Sequence, residues 1–218
     1  FFGYFYFQKI RSPVENCEYR IAAFDIGSGT TKLKIAKIDR CKKKNIEFLT
    51  YVTMPVPYAQ NMKENNGRFD QAIIDYGTKI ISRFIKAAKS LEVKKIVGVA
   101  TSAFRKSDNG RELIGKWNND FDVNFRVIDQ REEALIGFDS VRMGDAVNYA
   151  VWDIGGGSMQ IVENTEGKPF IYLGNIASVS FKNEVIKKLN KEGVSPNPMT
   201  RLEFISAVNL SMELFNNE

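Results

Sequence analysis

The 218-residue chain contains no histidine. That absence removes serine–histidine–aspartate and cysteine–histidine nucleophilic machinery as ordinarily built, and with it His-ligated zinc. The two cysteines, Cys17 and Cys41, are too few and too far apart in sequence for a zinc or iron–sulfur site. No stretch approaches the ~20 consecutive apolar residues that a membrane-spanning helix needs. There is no recognisable nucleic-acid module, and the net charge of +5 is scattered along the chain, so nucleic acid is not an expected partner. Chemistry is left to carboxylates, hydroxyls, backbone amides, Lys, Arg and a hard cation such as Mg²⁺.

Hydrophobic content of 44% and charged content of 26% are ordinary for a globular chain. The basic balance suits a polyanionic substrate, since summed charge raises the local concentration of anions; a Lys-, Asn- and Ile-rich composition accounts for it equally well. The run Lys42-Lys43-Lys44 reads as a solvated turn between strands. The aromatic start, Phe1 to Phe7, reads as the tail of a trimmed targeting segment, an extra strand or a docking patch.

Ile21 to Phe24 form a short apolar run, a buried strand. Lys32-Leu33-Lys34-Ile35 alternates with period two, a second strand, and 46–53 is a third. Pro55 and Pro57 end it, and the chain to Gly67 reads as loop. Over 70–91, Ile73, Tyr76, Ile80, Phe84, Ala87 and Leu91 recur at spacings of three or four, which puts them on one helix face. A strand at 95–100, a helix at 107–119 capped by Ser107 or Asp108, a strand at 123–128 and a helix at 130–142 follow. Strands at 149–153, 159–163 and 169–173 then restart the order, with helices at 178–190 and 200–216. Trp117 and Trp152 are expected in the core.

The restart repeats a sequence as well as an order. Ala23-Phe24-Asp25-Ile26-Gly27-Ser28-Gly29-Thr30 matches Val151-Trp152-Asp153-Ile154-Gly155-Gly156-Gly157-Ser158 in character at nearly every position. Two copies of one strand–turn–strand unit imply two related lobes. Glycine permits positive φ and close approach of a ligand to the backbone, and successive turn amides form a concave anion site. Ser28, Thr30 and Ser158 add hydroxyl donors. Asp25 and Asp153, at the strand ends, repel a bare phosphate but suit Mg²⁺ or its waters.

These paired motifs resemble the phosphate loops of the acetate and sugar kinase, heat-shock chaperone and actin superfamily. Within it the chain resembles the exopolyphosphatase and guanosine pentaphosphate phosphohydrolase (Ppx/GppA) family from about Tyr19 onward. The resemblance rests on Phe24-Asp25-Ile26-Gly27-Ser28, Ala100-Thr101-Ser102-Ala103-Phe104-Arg105, Arg131-Glu132-Glu133-Ala134 with Gly137, and Asp153-Ile154-Gly155-Gly156-Gly157-Ser158. It implies an α/β fold of two actin-like (ribonuclease H-like) lobes around a cleft: an extension over 1–18, lobe I over 19–145 and a short or incomplete lobe II over 146–218. It further implies hydrolysis of phosphoanhydride bonds in polyphosphate or guanosine pentaphosphate. Glu133 is then the base that orients water, although by itself it reads as a solvated surface residue, as Glu132 does. Arg105 becomes a phosphate contact rather than a solvated arginine. Gly27, Ser28, Thr30, Gly155, Gly156, Gly157 and Ser158 become phosphate cradles, and Asp25 and Asp153 Mg²⁺-associated acids.

Three departures stand out. Gly29 replaces a common Asn, Gln160 replaces a common acid and so weakens the metal site, and a further Gly-rich loop of the second lobe is missing. Two other readings follow: a small-molecule kinase or ATPase of the same superfamily, and a non-catalytic phosphate-ligand sensor. A homodimer stays open. Cys17 and Cys41 read as unrelated reduced thiols in a cytoplasmic protein; a disulfide between them would instead imply an oxidising, periplasmic setting.

Overall fold

Alternation explains the first sheet. In β1 (Glu18–Ile26) every second residue from Ala22 points inward, with Ala22, Phe24 and Ile26 buried, and Leu33 and Ile35 of β2 (Thr30–Asp39) do the same. β2 pairs antiparallel with both β1 and β3 (Lys44–Pro55). β4 (Lys95–Ala100) and β5 (Asn124–Val127) add parallel to β1 on its other side, giving the order β3-β2-β1-β4-β5. Each parallel step needs a helical crossover. The computed structural model describes residues 17–216 except 40, 43, 142–148, 166–167 and 194, so the aromatic Phe1–Phe7 segment lies outside the described residues.

The long crossover is α2 (Gln71–Ser90), matching the helix expected over 70–91. Asp70 caps it by accepting from the Ile73 amide at 2.9 Å. Its apolar face, Ile73, Ile80, Ile81, Phe84 and Ile85, is buried against the sheet. Each such side chain contributes about 1.5–3 kcal/mol relative to exposure. The segment after Pro57, expected as loop, instead forms α1 (Tyr58–Glu64). Burial of Tyr58 against Phe69 and Phe104, with centroids 5.4 and 4.7 Å away, holds this short helix.

A short unexpected helix, α3 (Ser102–Lys106), precedes the helix expected over 107–119, which is α4 (Gly110–Phe121) and starts after Asn109 rather than Ser107 or Asp108. Asn109 makes the break: its side chain accepts from the Phe69 amide and donates to the Phe69 carbonyl, both at 2.9 Å, which ties the chain to a distant loop. Trp117 of α4 is fully buried and its Nε1 donates to Thr78 Oγ1 of α2 at 2.9 Å.

α5 (Gln130–Ser140) leads to the second sheet, β6 (Tyr149–Ile154), β7 (Met159–Thr165) and β8 (Lys168–Gly174), an antiparallel meander. α6 (Ser178–Lys188) and α7 (Arg201–Asn216) follow, sharing a small core of Val185, Ala207 and Leu210. Trp152, expected in the core, is 60% exposed, because the face of β6 that carries it and Ile154 is left uncovered among the described residues.

Cys17 and Cys41, read as separate thiols, are joined by a disulfide with Cα atoms 5.5 Å apart. The β1–β2 register alone pairs Glu18 with Asp39, which would carry Cys41 one residue past Cys17. Asp39 corrects the offset: its Oδ1 accepts from the amides of Cys41 and Lys42, both at 3.0 Å, and curls the chain back.

Candidate active site

The two glycine hairpins are built alike. Asp25 stands opposite Lys32, and Asp153 opposite Gln160, each pair seven residues apart across its turn. The amide of Gly27 closes the first turn on Thr30 O at 2.9 Å, and that of Gly155 closes the second on Ser158 O at 3.0 Å. Each turn is braced from behind by a helix. The Ala59 amide of α1 donates to Ser28 O, and the Ser178 and Val179 amides of α6 donate to Gly155 O and Gly156 O. The turns face one another across a cleft of about 380 Å³ that also holds Asp25, Lys32, Glu133 and Asp153.

Why these turns need glycine differs from the expectation. None of the loop glycines has positive φ. Contact between the loops is the reason: a Cβ on Gly156 would sit 3.2 Å from Ser28 Cβ, and one on Gly157 would sit 2.9 Å from Ser102 Oγ and 3.0 Å from Ser28 Oγ. The amides of Gly27 and Gly155 are spent on the turns themselves. Among the described residues, the amides of Ser28, Gly29, Gly156 and Gly157 have no protein acceptor. These unpaired amides are the groups a concave anion site would use.

Helix α3 stands between the loops. The Ala103 amide donates to Ser28 Oγ at 3.2 Å, while Ser102 Oγ and Lys106 Nζ donate to Gly157 O at 2.9 and 3.0 Å. Ser28 and Ser158 are 5% and 2% exposed, so their hydroxyls reach the cleft from within the wall rather than from its surface.

Glu133 sits on the first turn of α5. Asp129 caps that helix, accepting from the Glu132 amide at 2.7 Å, and Gln130 Nε2 donates to Met159 O and Gly174 O at 3.2 and 2.8 Å. The helix start is thus pinned to the second sheet. Glu132 points outward to an ion pair with Arg126, whereas the Glu133 side chain is only 16% exposed. Burial pushes the Glu133 carboxyl above its ordinary value; Arg105 opposes this, and Asp153 and Asp25 add to it. Arg105 Nη1 lies 3.0 Å from Glu133 Oε2, at ion-pair distance but outside hydrogen-bond geometry, since that oxygen has no hydrogen-bond partner.

Arg105 does not face the cleft. Its Nη1 donates to Ile128 O at 2.8 Å and its Nη2 to Ser158 Oγ at 3.5 Å. Gln160 is likewise withdrawn, 2% exposed, with Nε2 donating to Ser158 Oγ at 3.3 Å. Asp25 is already paired: Lys32 Nζ donates to its Oδ2 at 2.8 Å. Burial, the largest single influence, would lower the Lys32 ammonium, but the hydrogen bond to Asp25 together with the negative charge of Asp25, Tyr51 and Asp153 holds the group above its ordinary value.

The donor set tests the metal expectation. Asp25, Asp153, Glu133 and the loop carbonyls are all hard oxygen donors, as Mg²⁺ requires. Among the described residues, the only three sulfur or carboxylate donors within 4.8 Å of one another are those of Cys17, Asp39 and Cys41, and the disulfide occupies both sulfurs. One or two carboxylates with open coordination is a donor set that fits Mg²⁺, which keeps several waters and binds through phosphates. Among the described residues Asp153 has no ion-pair partner, and Gln160 is buried.

The cleft thus gathers Gly27, Ser28, Thr30, Glu133, Asp25, Asp153 and Gly155 to Ser158. It leaves Arg105 and Gln160 behind its wall. Lys32, Thr101, Ser102 and Ser178 line it without having been singled out. The signal for Lys32 is its register: seven residues after Asp25, across a four-residue turn, is where a cross-strand partner must fall.

A model of the Ppx/GppA phosphatase family matches residues 34–188. The chain is 24% identical over 160 residues to Exopolyphosphatase 1 of Mycobacterium leprae, a match covering 71% of this chain and 45% of that protein. The chain therefore spans about half the length of the curated relatives it matches. Among solved structures, an exopolyphosphatase from Cytophaga hutchinsonii superposes with a TM-score of 0.70 at 21% identity, over 89% of this chain and 60% of that one. The Ppx/GppA member of Aquifex aeolicus gives 0.65 at 23% identity, over 76% and 54%. The α/β fold is shared with these structures. With the family match running through α3, the Glu133 helix and the second glycine hairpin, this chain is a member of the Ppx/GppA phosphatase family.

Proposed function

We propose that the chain hydrolyses phosphoanhydride bonds of inorganic polyphosphate or guanosine pentaphosphate, with Glu133 as the base. The observation that carries this reading is a glutamate, largely buried and raised above its ordinary value, that lines a cleft walled by two glycine turns with free amides. The free amides of Ser28, Gly29, Gly156 and Gly157 hold phosphate oxygens. Glu133 orients water and takes its proton as the new P–O bond forms and the bridging P–O bond breaks. Lys32, beside Asp25, supplies positive charge near the leaving phosphate. Asp25 and Asp153 would hold Mg²⁺, which neutralises phosphate charge when bound.

The test is phosphate release from both substrates, with and without Mg²⁺. Glu133→Gln is expected to lower turnover by ~10²–10⁴-fold with an unchanged circular dichroism spectrum, and Glu132→Gln to change little. Equal rates in all three proteins would remove Glu133 from the mechanism. The acidic limb of the rate profile should lie above that of an ordinary glutamate, since raising the carboxyl means it must lose its proton at higher pH before it can act as base.

One observation favours a second reading, a ligand sensor without turnover: Gln160 is neutral, buried and tied to Ser158. Polyphosphate binding without phosphate release would select it. The Cys17–Cys41 bond favours an oxidising compartment over the cytoplasm. Two free thiols on titration of unreduced, denatured protein would reverse that assignment. No helix of the described residues is long and apolar enough to cross a membrane.

A further inference from the structure

We propose that Arg105 is a positioning residue, which holds Glu133 in place and couples it to Ser158 of the second glycine loop instead of binding substrate phosphate. The inference rests on the reading of Glu133 as base. An arginine that clamps phosphate presents its planar fork to the ligand. Here the fork is turned inward. Its side chain is 13% exposed, Nη1 is committed to the Ile128 carbonyl and the Glu133 carboxylate, and Nη2 to Ser158 Oγ. None of its atoms lines the cleft.

The backbone bond fixes the guanidinium independently of any ligand. Ile128 is buried just before the Asp129 cap of α5, so Arg105 joins α3 to the start of the helix that carries Glu133. The ion pair then sets where the carboxylate stands. Ser158 Oγ accepts from both Arg105 Nη2 and Gln160 Nε2. A hydroxyl that accepts twice has only its own O–H left to give, and that proton is free for a phosphate oxygen. Arg105 in this way orders the base on one side of the cleft and a donor on the other, without touching the ligand.

The experiment separates positioning from phosphate contact by measuring binding where turnover is absent. In a Glu133→Gln background, the affinity for tripolyphosphate is measured by calorimetry with and without Arg105→Met. Positioning predicts dissociation constants within about three-fold of one another; a loss of ten-fold or more assigns Arg105 to phosphate and overturns the proposal. In otherwise unaltered protein, Arg105→Met should lower kcat by roughly the ~10²-fold that a misplaced base costs and leave KM within about three-fold. Arg105→Lys, which restores the cation but not the fork, should recover kcat only in part. A raised KM with unchanged kcat would also overturn the proposal. If Arg105→Met does not fold, Arg105→Lys enters the same binding assay under the same three-fold and ten-fold limits. Should Glu133→Gln retain full turnover, the base assignment fails by itself, and the tripolyphosphate affinities still decide whether Arg105 touches phosphate.

Discussion

In the first hairpin the residue opposite Asp25 is Lys32, a cation bonded to it at 2.8 Å; in the second the residue opposite Asp153 is Gln160, neutral and buried. The backbones match turn for turn, down to the Gly27 and Gly155 amides that close them. Their surroundings do not match. The first hairpin lies in a core that includes Phe24, Leu33, Ile35, Phe84 and Phe125, whereas the second leaves Trp152 and Ile154 exposed. One backbone motif therefore serves two electrostatic tasks. The first turn brings its own countercharge, and the second has none among the described residues.

The largest expected effect comes from breaking the contact between the turns. Gly157→Ala drives a Cβ against Ser102 Oγ and Ser28 Oγ, hydroxyls that already bond the Gly157 carbonyl and the Ala103 amide. It should cost about 1–3 kcal/mol of stability and most of the anion affinity. Gly29→Ala meets nothing within 4 Å and should leave both nearly unchanged. Thermal melts and phosphate binding of the two variants give the answer; matched losses would mean that the turns do not touch.

The charge difference is tested next. Gln160→Glu places a carboxylate at a 2% exposed position beside Asp153, and an unpaired buried charge of this kind costs about 1–3 kcal/mol or more. The variant should melt below the unaltered protein without Mg²⁺ and regain part of the difference with it, because a cation is what that position then lacks. A melt indifferent to Mg²⁺ would separate Gln160 from any metal site.

The smallest effect concerns the packing. Trp152→Gln removes a ring that is 60% exposed and should change stability by no more than about 0.5 kcal/mol, measured by denaturant titration. Leu33→Ala, its counterpart in the buried hairpin, should cost about 2–5 kcal/mol. Similar losses would place Trp152 in an interior after all.

Much of this was legible from residue order. The repeat of Asp-Ile-Gly-x-Gly at Asp25 and Asp153 predicted paired hairpins, and the spacing from Ile73 to Leu91 predicted α2, because strand and helix periods are local properties of the chain. Glu133 was found through its motif and not its setting: its helix carries no amphipathic stripe to mark which face is buried. Burial of that side chain depends on Gln130 reaching two carbonyls of the second sheet, a contact between elements 29 and 44 residues apart.

The sequence by itself determined the hairpins, the glycines at their turns and the hard-donor chemistry left by the lack of histidine, since each follows from local backbone geometry or from composition. Only the tertiary structure decided what those residues face. It turned Arg105 away from the cleft, gave Asp25 its countercharge in Lys32, withdrew Gln160 behind Ser158, and curled the chain at Asp39 so that Cys41 meets Cys17. The reason is that a residue's charge, exposure and partner are set by groups distant in sequence, and a shift of one residue in register reverses the face on which a side chain lies.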